Sequence, residues 1–434
     1  MKLLISLSVL LSLVSSNLAV LSSAGNTTDE EKQNYIVKVT DPQAHRSLST
    51  SSSHEILHVF KHGNLLEMRL DKAEVRELMD SDDVLDIEED QPVYLSPTYP
   101  SSPGDMNADM DASIGENPAE VPYGIQMVQA LDVADDKVGS SDIKVCIADT
   151  GYDILHNDLP QGSKVVGKSF VPGQSWSVDG HGHGTHVAGT IAALEDGLGV
   201  LGVVRNGEMN LLIAKVLADT SGYGTWAGIL AGVEWCQENG ADVINMSLGG
   251  GGFNQIDSDF YREIYENDGV LIVAAAGNSG PGQVGYPASY DSVLSVGAID
   301  INKNIASFSQ TNDQVELVAP GVAVKSTRPN NSYASLSGTS MACPHVAGVA
   351  ALVWSHFPYL TAMEIRSLLR VTAENLGNDE GKDPVFGYGL VRAKDAFDAL
   401  HNDDTTPVPP TPTPVPAVPP TPSPTPAGGG GGKC

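Results

Sequence analysis

Apolar positions in this chain follow two different rhythms. Between residues 119 and 400, short unbroken runs of Val, Ile, Leu and Ala alternate with longer stretches rich in Ala and Gly. The short runs read as strands buried on both faces, at 144–148, 211–216, 243–247, 270–275 and 293–298. The longer stretches read as helices, at 184–193, 223–238, 257–267 and 340–355. This alternation predicts a three-layer α/β/α architecture with a mainly parallel central sheet. Sites on such sheets form beyond the carboxyl ends of the strands.

Residues 34–95 have the second rhythm. Tyr35 to Val39 alternates like a strand, and Leu65 to Leu70 reads as another. Asp71 opens a short helix and Glu74 completes a capping box, after which residues 86–94 close a small α+β sheet. Outside these two regions the periodicity lapses. Residues 1–24 join Lys2, an apolar run and small residues ending at Ala24, the layout of a secretory signal removed on export. Residues 96–118 form an exposed processing linker of Pro, Ser, Asp and Met. Residues 401–434 form a Pro/Thr-rich, then Gly-rich disordered tail with no core to bury.

Charge narrows the function class. The 434 residues carry a net charge of −30, which excludes nucleic acid as a natural partner. No stretch after the leader would span a bilayer, so the expected mature form is soluble, monomeric and extracellular. The four cysteines are Cys146, Cys236, Cys343 and Cys434. They are too few for a disulfide scaffold, and a Cys146–Cys236 bridge is left open.

Three stretches carry chemistry. In Gly338-Thr339-Ser340-Met341-Ala342 a serine sits between small residues and the start of an apolar helix. Val145 to Gly151 is a buried strand ending in Asp149-Thr150-Gly151, and His181 to Gly189 opens another small-residue helix. An uncharged serine attacks amides poorly unless a base stands within hydrogen-bond reach and a third group orients that base. Asp, then His, then Ser is one of the chain orders in which that triad occurs. Competing readings are weaker. Asp-Thr-Gly is also the aspartic-protease tripeptide, but that chemistry needs two such carboxylates and a second copy is missing from the sequence. The spacing of His181, His183 and His186 would suit zinc, but Thr185 stands where a carboxylate would be wanted. The run Gly249 to Gly252 lacks the Gly-Lys-Ser/Thr of a phosphate loop.

Asp149-Thr150-Gly151, His183-Gly184-Thr185-His186 and Gly338-Thr339-Ser340-Met341-Ala342 resemble the three signature blocks of the subtilisin-like serine proteases, the subtilases. Ala274-Ala275-Ala276-Gly277-Asn278 resembles their fourth block, and the likeness covers about residues 121–400. It implies Ser340 as nucleophile, His183 as general base and then acid, Asp149 as its orienting partner, and Asn278 as oxyanion donor. It further implies an autoinhibited zymogen whose propeptide is residues 34–95, with protein or peptide substrates and no cofactor for catalysis. The substrate would lie between Ser221-Gly222-Tyr223 and Ser247-Leu248-Gly249, with a first pocket walled by Ala276, Gly277, Ser279 and Gly285. Such small, uncharged walls imply a preference for large apolar or aromatic residues. Structural calcium is implied on Asp158, Leu194, Asp196, Leu198 and Val200, although Ala119 replaces the glutamine ligand of the family. Self-cleavage is expected after Tyr94 or Leu95, or further along at Tyr99 or Met106. The alternative reading is a catalytically silent homologue acting as a binding protein.

Overall fold

The computed structural model describes residues 32–50, 54–95, 99–100, 119–377 and 381–401. The leader, most of the linker and the tail lie outside the described residues.

The larger part is built on a seven-stranded sheet. Its strands are β7 (Lys144–Asp149), β8 (Val165–Ser169), β9 (Asn210–Lys215), β11 (Val243–Met246), β12 (Leu271–Ala275), β13 (Val293–Ile299) and β14 (Val315–Pro320). Their order is β14-β13-β12-β11-β7-β9-β8, and every neighbouring pair is parallel. Both faces are covered, so side chains pointing either way must be apolar. In β7, Val145 and Ile147 enter one core while Cys146 and Ala148 enter the other. In β12, Leu271 and Val273 face the first core and Ile272 and Ala274 the second.

Helices α4 (His183–Ala192), α7 (Thr339–His356), α8 (Ala362–Val371) and α9 (Ala393–His401) pack on the first face. Helices α5 (Trp226–Glu238) and α6 (Gln255–Glu266) pack on the second. Residues 223–225 form the short strand β10 (Tyr223–Thr225) instead of the expected first turn of α5. The Thr225 side chain caps α5 by accepting the Gly228 amide, so the helix cannot begin earlier. Short α3 (Tyr123–Met127) and the pair β15 (Val324–Arg328) and β16 (Ser332–Ser337) complete this part, with β6 (Tyr99–Pro100) added to β16. A disulfide links Cys146 of β7 to Cys236 of α5, and Cys343 is a buried free thiol.

The N-terminal part has the order β1 (Gln33–Val39), α1 (Pro42–Thr50), β2 (Glu55–Val59), β3 (Leu65–Leu70), α2 (Lys72–Met79), β4 (Val84–Glu89) and β5 (Pro92–Tyr94). Four of these strands make an antiparallel sheet, β2-β3-β1-β4. Asp71 and Glu74 form the expected capping box of α2. Two expectations change. Strand β2 and helix α1 are additional, and residues 86–94 do not form one strand. The sheet closes with β4, the chain breaks at Asp90-Gln91, and β5 leaves to pair with β10 of the larger part.

One face of this small sheet packs on its own helices through Val37, Val39, Leu66, Met68 and Leu78. The other face shares a core with α5 and α6, to which it contributes Ile36, Phe60 and Leu65. Hydrogen bonds fix the seam. The free amides at the start of α5 are met from outside: Trp226 N–H donates to the Gln91 carbonyl at 2.9 Å and Ala227 N–H to the Asp90 carboxylate at 2.8 Å. Further along α5, Glu234 accepts the amides of Lys61 at 2.8 Å and His62 at 3.0 Å, and the His62 ring at 2.9 Å.

Candidate active site

Asp149 is the last residue of β7, at the carboxyl end of a strand with neighbours on both sides. It is fully buried, and one of its oxygens accepts the Thr150 amide at 2.7 Å. The Nδ1 of His183, the first residue of α4, lies 2.8 Å and 3.0 Å from the two carboxylate oxygens. This contact fixes the tautomer: the proton on Nδ1 points at Asp149, which leaves Nε2 as the basic nitrogen.

The start of α4 is held in place by a carboxylate that the sequence did not single out. Asp179 is buried and accepts four hydrogen bonds, from Thr150 Oγ1, Gly182 N, Thr185 N and Thr185 Oγ1. Gly182, the N-cap position, has φ +84° and supplies no side chain of its own, so Asp179 does the capping from a neighbouring loop. Thr150 Oγ1 also accepts the Gly184 amide at 2.9 Å, which ties the Asp149 turn to the first turn of α4. The helix sits so close that a Cβ on Gly184 would lie 2.2 Å from the Gly151 carbonyl oxygen.

Ser340 is the second residue of α7 and is fully buried in this state. Pro344 stands four residues later and has no N–H to give to the Ser340 carbonyl. That carbonyl accepts the Ser247 hydroxyl instead, at 2.9 Å. The Ser340 hydroxyl in turn donates to the Ser247 carbonyl at 3.1 Å. Among the described residues His183 Nε2 has no hydrogen-bond partner.

Asn278 follows the end of β12. Its side-chain oxygen accepts both the amide and the hydroxyl of Thr339 at 2.9 Å, which fixes which end of the amide is the acceptor and which the donor. The cleft, about 280 Å³, is lined by Asn278 together with Gly249, Ala276, Gly277, Ser279 and Gly285, and also by Gln310 and Tyr286. Leu248 is buried beneath it in the second core. On the opposite edge, Ser221 Oγ accepts the Tyr223 amide at 3.2 Å and shapes the turn that presents Gly222.

Segment β5 of the N-terminal part lies between these two edges. Tyr94 pairs antiparallel with Tyr223 on one side, and its carbonyl accepts the Gly249 amide at 3.3 Å on the other. Leu95 N–H then donates to the Gly222 carbonyl at 3.1 Å. The rings of Tyr94 and Tyr223 meet edge to face with centroids 4.5 Å apart. The chain is therefore held through its main chain, as an extended peptide added to a sheet edge.

The other histidines are separately accounted for. His186 is buried, with Nε2 3.0 Å from the Ala334 carbonyl and its pKa carried down to about 3 by burial. His181 lies beside His183, with ring centroids 6.2 Å apart, and burial lowers its pKa as well. In the expected calcium loop, Asp158 is buried and accepts the amides of Leu194 at 3.1 Å and Val200 at 2.9 Å. Burial first, with nearby Asp196 adding to it, pushes the Asp158 carboxyl up to about 7. Asp196 and Leu198 are exposed, and Asp196 accepts the Leu198 amide at 3.0 Å.

This fold and this grouping of Asp, His and Ser at strand and helix ends define a class. The chain belongs to the subtilase family, which its residues 140–389 match, and residues 20–96 match the peptidase inhibitor I9 family. It is a serine endopeptidase preceded by its inhibitory propeptide. Subtilisin DY of Bacillus licheniformis is 49% identical over 281 residues, 64% of this chain and 98% of that protein. Alkaline elastase YaB of Bacillus sp. (strain YaB) is 39% identical over 394 residues, 88% of this chain and 95% of that protein. The crystal structure of the psychrophilic subtilisin-like protease Apa1 from the Antarctic psychrotroph Pseudoalteromonas sp. AS-11 superposes with a TM-score of 0.60. It is 28% identical and covers 67% of this chain and 100% of that one.

Proposed function

We propose that the enzyme cleaves peptide bonds with Ser340 as nucleophile, His183 as general base and then acid, and Asp149 holding the imidazole. One observation carries the assignment: the Asp149–His183 pair is formed and buried, and the helix that begins with His183 packs against the helix that presents Ser340. Rotation of the Ser340 side chain away from the Ser247 carbonyl brings its hydroxyl to His183 Nε2. The proton passes to that nitrogen as the oxygen attacks, and Asp149 stabilises the imidazolium. The oxyanion that forms is met by the Asn278 NH₂ and the Ser340 amide, fixed donors that need no reorganisation. His183 then returns the proton to the leaving amine, and water repeats the cycle to release the acyl group. The cleft walls carry no charged side chain, which supports large apolar or aromatic residues as its occupants. Ser340→Ala should abolish both hydrolysis and labelling by a fluorophosphonate probe; a variant that still turned over casein would overturn the assignment.

The leader supports export, and the chain positioned by Tyr94 and Leu95 supports self-processing of a zymogen. Structural calcium is supported at Asp158. Among the described residues its buried carboxyl has no cationic side chain beside it, only the Leu194 and Val200 amides and the Tyr333 hydroxyl, and the loop wraps it so closely that a Cβ on Gly199 would fall 2.2 Å from Oδ2. A divalent cation there would hold the carboxylate ionised, with Asp196 and backbone carbonyls of Leu194, Leu198 and Val200 completing an oxygen set.

A further inference from the structure

Gln310 lies at the back of the cleft, in a stretch where the sequence carries no motif. It is 5% exposed. Its backbone is committed: the amide donates to the Gly277 carbonyl at 2.9 Å, and the carbonyl accepts the Ser309 hydroxyl at 3.3 Å. Its side-chain amide has no hydrogen-bond partner among the described residues. The residue is otherwise enclosed, so the open cleft that it lines is where the amide can meet a partner.

The surroundings show where the amide points. A Cβ on Gly277 would lie 1.6 Å from Oε1, and one on Gly285 would lie 3.4 Å from Nε2 and 3.5 Å from Oε1. The amide therefore spans the gap between two of the cleft walls. The absence of side chains at both glycines is what leaves it open to an occupant. Ala275 and Ala276 supply only methyl groups, while Ser279 and Gln283 sit at the exposed rim.

We propose that the Gln310 amide is the specificity element of this cleft. It selects an occupant whose side chain ends in a hydrogen-bonding group, with tyrosine favoured over phenylalanine. The proposal rests on the peptidase reading above and names the substrate class of that same site. A primary amide both donates and accepts, so a phenol hydroxyl satisfies it in either sense. Phenylalanine fills the same space and leaves the amide unpaired, and a site built to bond a hydroxyl discriminates against the analogue that lacks it.

The test uses the full chain, expressed and allowed to activate, on two peptides that differ only in Tyr or Phe at the residue donating the scissile carbonyl. The expected ratio of kcat/KM, Tyr over Phe, is about tenfold in the wild type. In Gln310→Met, of similar volume, it should fall to about one, with Phe gaining as Tyr loses. Gln310→Glu places a carboxylate at the same point and should favour Lys over Met by about tenfold, a gain that a merely unfolded variant would not show. A wild-type ratio near one, or a ratio unchanged in Gln310→Met, overturns the proposal. So does a wild type that the serine probe labels but that cleaves neither peptide. A wild type that neither cleaves nor reacts with the probe overturns the peptidase reading instead.

Discussion

Gly184 shows how little tolerance there is around the reacting groups. Its missing side chain lets α4 close on the Asp149 turn, and a methyl group would have to displace the Gly151 carbonyl. Gly184→Ala should lower stability by about 1–3 kcal/mol and reduce kcat more than KM, because His183 moves with the helix. Thermal melts and steady-state kinetics would check it; a wild-type kcat would mean that the turn gives way without disturbing His183. At this scale the sequence was legible where residues sit in dense local blocks. Asp149, His183, Ser340 and Asn278 each stand inside such a block. Asp179 and Gln310 do not: one reads as an ordinary loop carboxylate, the other as an ordinary loop amide. Their roles arise from chain segments that fold back onto them, which no local pattern encodes.

Helix α5 does more than fill a layer. It carries half of the disulfide, lays one face on the sheet, and meets the propeptide at its first turn and again at Glu234. The Cys146–Cys236 bridge closes a loop of sequence separation 90, for which chain-entropy reasoning gives about 4–5 kcal/mol. The Cys146→Ala/Cys236→Ala double variant should therefore melt at lower temperature without losing the triad. Equal melting temperatures would place the stabilisation elsewhere. Chelation is expected to act on the loop that follows α4 in the same selective way. EDTA should lower the melting temperature and change kcat on short peptides little, because Asp158 touches none of the reacting groups. An unchanged melting temperature would remove the calcium proposal. Most buried strands and long helices were readable from apolar runs. The β2 strand and α1 were not, since their exposed faces interrupt the alternation. The split of residues 86–94 was invisible because Asp90-Gln91 looks like any polar turn until α5 presents its amides.

Across the whole molecule, the propeptide seam is sensitive to pH, and mostly in the alkaline direction. His62 is held by Glu234 at 2.9 Å and by Asp268 at 3.0 Å, with Glu263 and His58 near by. The hydrogen bond to Glu234 raises the His62 pKa above 6.5. Burial alone would raise Glu234, but His58 at 3.7 Å and the bonds from the His62 ring and the Lys61 and His62 amides carry it down to about 2. A raised histidine stabilises the docked state fully below pH 6.5 and loses that contribution as pH climbs through its bound value. A depressed carboxylate contributes above 4.5 and loses its effect as pH falls toward 2. Docking should thus be tightest between about pH 4.5 and 6.5 and weaken by about threefold to tenfold toward pH 9. Asp90, the propeptide carboxylate that caps α5, is raised by burial, so acid does not loosen the seam through it. Inhibition constants for the propeptide at pH 6 and pH 9, in the wild type and in His62→Gln, would test this. A pH profile unchanged in His62→Gln would exonerate the histidine.

The ion pairs along that seam share one polarity. Lys38, Lys61 and His62 stand on the propeptide side, and Asp259, Glu238, Glu234 and Asp268 on the enzyme side. These pairs attract at close range, whereas the two parts as wholes repel: residues 34–95 carry six Lys and Arg against thirteen Asp and Glu, in a chain of net charge −30. Dissolved ions shorten the reach of both effects, from about 10 Å at 0.1 M to about 3 Å at 1 M, so brine eases the approach of a released propeptide and loosens its grip once seated. The salinity of the surroundings would then decide how long the freshly cut enzyme stays silent, without altering a single group that takes part in the cutting.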